Sequence, residues 1–288
     1  MEKLPRYFLK ISIALLVLSC NGNRYTDLSV EEKKALSKEI FEEEFVKHDH
    51  FGPIQGSPES MTLLDEIIEL DPANCDALRE LSVAYLKRGM PHEWKPRFDK
   101  AVACNPKIWQ PHRGYLYLWF YRDYKKAIED FNASDSLTPN FVDAPQGHSV
   151  DYWRGIAYLG LKEYSNSRHY FNKHVAKVTE SSGEEWVEPN AFLYIGIGYY
   201  ENSERKLAKE SFLKALVNFK GFSADAHYYM ALLELEDNNY EAALLSINKA
   251  IENYEMGYYE KRDYVEVIRQ IYPEQLTEVK DRIKELWK

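Results

Sequence analysis

The residues of this chain that could do chemistry are three cysteines, eight histidines and several runs of carboxylates. His48-Asp49-His50 offers two imidazoles to a metal, but a zinc site needs at least three protein ligands and the spacing places no third. Gly196-Ile197-Gly198 carries the first glycines of a dinucleotide fingerprint, lacks the third, and sits in an apolar helical stretch. Glu42-Glu43-Glu44 and Glu184-Glu185 read as solvated surface rather than general acid–base pairs. There is no Gly-x-Ser-x-Gly elbow, no glycine-rich loop ending in Gly-Lys-Ser/Thr and no His-Glu-x-x-His. The sequence therefore points to a protein that is not an enzyme and holds no metal or cofactor.

The third thiol, Cys20, has a different setting. Lys3, Arg6 and Lys10 precede an apolar run from Ile11 to Leu18, broken only by Ser12. A membrane-spanning helix needs about 20 apolar residues. A shorter run behind a positive start is the pattern of a secretory signal peptide. It ends in Val17-Leu18-Ser19-Cys20 and is followed by the polar Asn21-Gly22-Asn23. This resembles the lipobox of bacterial lipoproteins. The resemblance implies cleavage before Cys20 and acylation of its thiol, including palmitate-type chains. Asn21 is not the aspartate that resembles an inner-membrane retention signal. The expectation is a lipid anchor in the outer membrane of a Gram-negative cell envelope, facing the periplasm or the surface. Residues 1–19 are then the signal peptide and 20–28 a lipidated tether.

The elements that must position everything else are helices. Hydrophobic content of 45% and aromatic content of 14% exclude general disorder. A net charge of −9 disfavours nucleic acid as a partner. From Ser29 on, apolar residues recur at helical spacing, and Pro72, Pro106 and Pro139 punctuate the chain at a ~34-residue period. Each proline is expected to close a second helix. Small residues and aromatics recur with that period: Gly114, Tyr117, Ala127 and Phe131; Gly155, Tyr158 and Phe171; Gly196, Tyr199, Ala208 and Phe212; Ala231, Ala243 and Ile247. These units resemble tetratricopeptide repeats over about residues 60–255. The resemblance implies an all-α, right-handed α-solenoid of about five helical hairpins with N-terminal and C-terminal capping helices. Residues 29–257 form the repeat domain. Residues 258–288 are expected to be capping helices, one lined by Val265, Ile268, Ile271 and Tyr272 and ended by Pro273.

Within the first hairpin, Cys75 opens one helix and Cys104 lies near the end of the next. Antiparallel packing would bring them together, so they are either a disulfide suited to an oxidising compartment or two separately buried thiols.

Two surfaces are candidates for binding. The repeat template places Tyr115, Trp119, Tyr152, Tyr200 and Tyr228 on a concave groove lined by first helices. Aromatics with polar tips make good anchors there. The second is a pair of lengthened junctions between hairpins, residues 140–147 and 180–187, expected to be neighbours on one edge. They carry Asp143, Gln146, Glu184, Glu185 and Trp186. The expected function is a non-catalytic envelope adaptor that binds a protein or peptide partner through the aromatic groove. The alternative is a glycan-binding outer-membrane lipoprotein, because aromatic faces also stack on sugar rings.

Overall fold

Ser29 starts the first helix, α1 (Val30–Ile40), with a capping box. Its hydroxyl accepts from the Glu32 amide at 3.3 Å and its own amide donates to the Glu32 carboxylate at 2.8 Å. The computed structural model describes residues 25–47 and 54–288, and all of its regular elements are helical. The targeting segment, Cys20 and His48-Asp49-His50 lie outside these residues. The chain divides into two compact units between Tyr85 and Leu86.

The first unit holds α1, a π-helical turn over Phe41–Val46, α2 (Pro58–Leu70) and most of α3 (Cys75–Lys87). Leu64, Ile67, Ala77 and Leu81 form its core, with Ile40, Phe41 and Phe45 packed against them. The buried Ser37 hydroxyl donates to the Ile67 carbonyl at 2.9 Å, tying α1 to α2.

The second unit contains α4 (Pro91–Cys104) and four complete hairpins. These pair α5 (Pro106–Leu116) with α6 (Tyr124–Leu137), α7 (Val150–Gly160) with α8 (Tyr164–Ser182), α9 (Pro189–Glu201) with α10 (Arg205–Asn218), and α11 (Ala224–Glu236) with α12 (Tyr240–Glu255). A last helix, α13 (Pro273–Leu286), packs on α12 through Leu276 and Ile283. The small-residue slots do the work that the period assigns them. A methyl group added to Gly155 would meet the Phe171 ring at 2.7 Å, and one added to Gly196 would meet Phe212 at 2.5 Å. In these two hairpins the first helix presses on an aromatic of the second, and both phenylalanines are fully buried. In the last hairpin Ala231, Ala243, Ile247 and Ala250 fill the same role. Each turn is closed by a residue in the left-handed region: Arg122, Lys162, Ser203 and Asn238.

Two expectations are corrected. Pro273 ends no helix but opens α13, where a missing amide proton costs nothing; Pro106 likewise opens α5, although α4 does stop at Cys104 just before it. The stretch from 258 to 272 is not a helix either. Tyr264 and Arg269 have φ of 68° and 57°, outside helical geometry. The three-residue spacing of Val265, Ile268 and Ile271 looks helical in sequence. In the fold this segment is an irregular strap whose polar groups bond to helices far away in the chain. Residues 258–288 therefore supply one capping helix.

Candidate interaction surfaces

The strap lies along the first helices, on the face where the groove is expected. Near its start, the Ala224 amide of α11 donates to the Tyr258 carbonyl at 2.8 Å. The Glu260 amide donates to Asp225 at 2.9 Å, and the Asn190 amide group of α9 donates to the Glu260 carboxylate. Arg262 donates to the Tyr115 hydroxyl at 3.0 Å. Its guanidinium sits 4.5 Å from the Trp119 ring centre and 4.9 Å from that of Trp153. A desolvated cation–π contact of this kind contributes about 2 kcal/mol. Further along, Lys87 lies over the Tyr264 ring, Arg122 donates to the Glu266 carbonyl, and Arg269 forms a two-point ion pair with Glu201. Val267, Ile268 and Ile271 are buried at the far end.

The five expected groove residues meet different fates. Trp119 and Tyr152 are each only 2% exposed, so neither presents a free face, and Arg262 of the strap is what lies over Trp119. Trp119 lies in a π-helical turn, Tyr117–Tyr121, that continues α5. The extra residue in such a turn rotates everything after it relative to the repeat template. Tyr152 is covered by the lengthened junction before α7: His148 stacks on its ring at 4.8 Å, and Phe171 meets its edge at 5.6 Å. Burial drives its hydroxyl pKa well above the ordinary tyrosine value. Tyr115 is half-buried and bonded to Arg262. Tyr200 donates to Glu236 at 2.6 Å, and it and Tyr228 line a small cleft of about 250 Å³ with Arg269 and Ile271 of the strap. The groove exists, and the chain's own strap fills it.

The second surface remains open. Junction residues 138–149 are held from within. Asp143 accepts from the hydroxyls of Ser134 and Thr138, and Trp153 Nε1 donates to the Pro145 carbonyl at 2.9 Å. Gln146 is exposed, with φ of 57° and its side-chain nitrogen 3.5 Å from His112 Nε2. In the other junction Glu184 pairs with Lys214 at 2.9 Å, Glu185 is exposed, and Trp186 is 70% exposed. The expected neighbourhood of the two junctions rests on residues the sequence reading missed. Glu188 contacts His148 Nδ1 at 3.0 Å and His174 Nε2 at 2.6 Å, while His174 Nδ1 meets the Ser149 hydroxyl at 2.8 Å. Burial raises the Glu188 pKa, but the hydrogen bonds from His148 and His174 outweigh it and hold the carboxyl well below its ordinary range. This cluster fastens the start of α9 to the start of α7 through α8. Beside it is a cleft of about 720 Å³ lined by Phe141, Val178, Lys173, Lys177, His174 and Glu188. Phe141, also missed, is 67% exposed.

Below the cleft, Arg154 is almost fully buried. It donates to Asp151 and to the Phe131 carbonyl, both at 2.7 Å, and to Asp135. Asp151 also meets Lys173 at 3.0 Å. Each charge is compensated, as burial requires. Cys75, the first residue of α3, and Cys104, the last of α4, are both in disulfide linkage. Among the described residues no group of three or more His, Cys, Asp or Glu side chains could hold a metal ion, and no helix is long and apolar enough to cross a membrane.

The comparisons with known proteins agree with this architecture. A tetratricopeptide repeat family model matches residues 195–255, which span α10, α11, α12 and the end of α9. No curated protein matches the chain in sequence. Among solved structures, PilW, a type IV pilus biogenesis factor, superposes with a TM-score of 0.58 at 14% identity, over 90% of this chain and 99% of that one. PilF of Pseudomonas aeruginosa gives 0.54 at 15% identity, covering 78% and 94%. MamA of Desulfovibrio magneticus, from residue 41 to its end, gives 0.52 at 17% identity, covering 63% and 96%. The fold is that of a tetratricopeptide-repeat solenoid. At these identities the likeness concerns fold alone.

Proposed function

We propose that this protein is a non-catalytic adaptor of the bacterial cell envelope, anchored through acylated Cys20, that docks a protein partner on the edge formed by its two lengthened junctions. The observation that carries the reading is the exposure of Phe141 and Trp186, at 67% and 70%, on junctions joined through Glu188. Large aromatics held out to water on a fixed backbone are the residues that most often anchor protein interfaces. The aromatic groove expected to do this is filled by the strap, so the working surface moves to the edge. The solenoid supplies rigidity: α7, α8 and α9 fix both junctions, and the histidine–carboxylate cluster locks them together.

A photoreactive amino acid at position 141 or 186, activated in intact envelopes, tests this reading. Both positions should give the same defined protein adduct, and position 217 on α10, where Val217 is 77% exposed, should give none. Equal labelling from all three positions, or none from 141 and 186, would contradict it. The anchor is tested separately. Wild-type protein should incorporate labelled palmitate and partition into detergent; Cys20→Ser should lose both properties.

A further inference from the structure

The strap is the best available guide to what its groove can bind. We propose that the groove along α5, α7, α9 and α11 is a second binding site, for an extended partner segment carrying an arginine next to a carboxylate, and that residues 259–266 hold it closed in cis. This is independent of the edge surface, and either site could exist without the other.

Three observations support it. First, the seated segment has the character of a ligand rather than of a core element. Apart from Tyr259, which stacks on Tyr254 and packs on the cluster that seats α13, its contacts are made by polar termini and by backbone groups: Arg262 among the rings of Tyr115, Trp119 and Trp153, the Glu260 carboxylate on Asn190, and the Glu260 amide on Asp225. This is how extended peptides are read, with backbone groups fixing register and one or two side chains giving specificity. An arginine suits an aromatic cage because its planar, weakly hydrated guanidinium can contact several rings at once while its N–H groups still donate.

Second, the strap fits imperfectly. Arg262 Nε, Trp119 Nε1 and the Tyr194 hydroxyl are buried and have no hydrogen-bond partner among the described residues. Trp119 and Tyr194 are 2% and 1% exposed, and a donor left unpaired at that depth carries a desolvation cost. Two carboxyl groups, Asp225 and Glu260, share one buried neighbourhood, and Tyr264 has φ of 68°. Left-handed backbone at a tyrosine is a cost that the surroundings must offset. A segment free to choose its conformation and to reach these donors would fit the same groove better.

Third, the segment is placed to open without unravelling the fold. It is tethered on one side at Gly257, φ 84°, after α12, and on the other by buried Val267, Ile268 and Ile271. Ile271 belongs to the cluster of Ala231, Leu235, Leu276 and Ile283 that seats α13. Residues 259–266 contain no residue buried to that degree, and Lys261, Asp263, Tyr264 and Glu266 are exposed. A closed groove of this kind lowers apparent affinity by the fraction of molecules that are open, and that penalty disappears when the strap is loosened.

The test uses the full chain and a labelled synthetic peptide with the sequence of residues 257–266. Arg262→Ala protein should bind this peptide at least tenfold more tightly than wild type does. The same peptide with alanine in place of its arginine should bind the variant at least tenfold more weakly. A folded Arg262→Ala protein that binds no better than wild type, or that binds both peptides alike, would overturn the proposal. Should the variant fail to fold, hydrogen exchange on wild-type protein decides. Saturating peptide should speed exchange in 259–266 while α9 stays protected. Unchanged exchange there at saturating peptide would equally overturn it.

Discussion

Arg262 lies over Trp119, its guanidinium 4.5 Å from the ring centre, although three complete hairpins separate the two residues in the chain. The contact reassigns a whole face of the molecule. Trp119 belongs to the hairpin built on α5, and Arg262 comes from the segment after the last hairpin. With Tyr115 and Trp153 on the same guanidinium, the arginine joins two hairpins and the strap at one point. Trp153 also donates to the Pro145 carbonyl, so one indole touches both the filled groove and the junction that carries Phe141.

The small-residue slots set the spacing of the hairpins. Gly155→Ala should destabilise the fold by about 1–3 kcal/mol, the usual range for overpacking a filled core. The added methyl would stand 2.7 Å from the Phe171 ring, and neither partner has room to retreat. Denaturant unfolding measures this. Combining Gly155→Ala with Phe171→Leu should recover part of the loss, whereas two additive losses would mean that the residues do not press on each other.

Asp225 gives the strap a pH dependence. Burial first, and then the nearby Glu260 charge, push its carboxyl from an ordinary 3.8 up to about 7. The groups facing it are Glu260 on the strap and Tyr194, Tyr229 and Tyr254 on α9, α11 and α12, with the Glu260 amide as the favourable neighbour. The folded state holds the proton more tightly than the unfolded state. Its contribution is therefore full below about pH 4 and is lost as pH rises toward about 7. Asp225→Asn keeps an acceptor for the Glu260 amide without the charge. It should be more stable than wild type at pH 8, by roughly 2 kcal/mol, and should show little gain at pH 4. Thermal melts at the two pH values check this. Equal effects at both would remove the buried charge as the cause.

Much of this architecture is legible in the sequence because repeats make local statements. Gly155 and Phe171 lie one helix apart, so their packing follows from the period. The strap is not legible in the same way. Val265, Ile268 and Ile271 repeat every three residues like a helix, and only contacts made to Glu201, Asp225 and Tyr115, far away in sequence, hold them in irregular backbone. Trp119 does line the groove, but its cover, Arg262 of the strap, comes from a segment whose spacing reads as a helix. The Glu188–His174 cluster escaped notice because a histidine amid the polar residues of α8 gives no sign that it is buried. Phe141 could have been found: an aromatic next to Pro139 and Asn140 in an insertion is an unusual choice for a spacer.

The two cysteines carry a prediction about compartment. Cys75 and Cys104 are expected to form one bridge with each other. Protein isolated under oxidising conditions and unfolded without reductant should then expose neither thiol to a labelling reagent, and both after reduction. A bridge closing a loop of this length contributes ~3–4 kcal/mol by restricting the unfolded chain. Two reactive thiols before reduction would contradict the pairing.

The most direct measurement concerns the edge between the junctions. Once the protein cross-linked through position 186 is identified, its affinity for the purified chain can be compared with that for Phe141→Ala/Trp186→Ala. Interface aromatics of this kind each cost about 1–2 kcal/mol or more on truncation, so the double variant should bind at least tenfold more weakly with an unchanged melting temperature. Unchanged affinity in the folded double variant, with the loss appearing in Tyr115→Ala instead, would contradict the account and return the working surface to the groove.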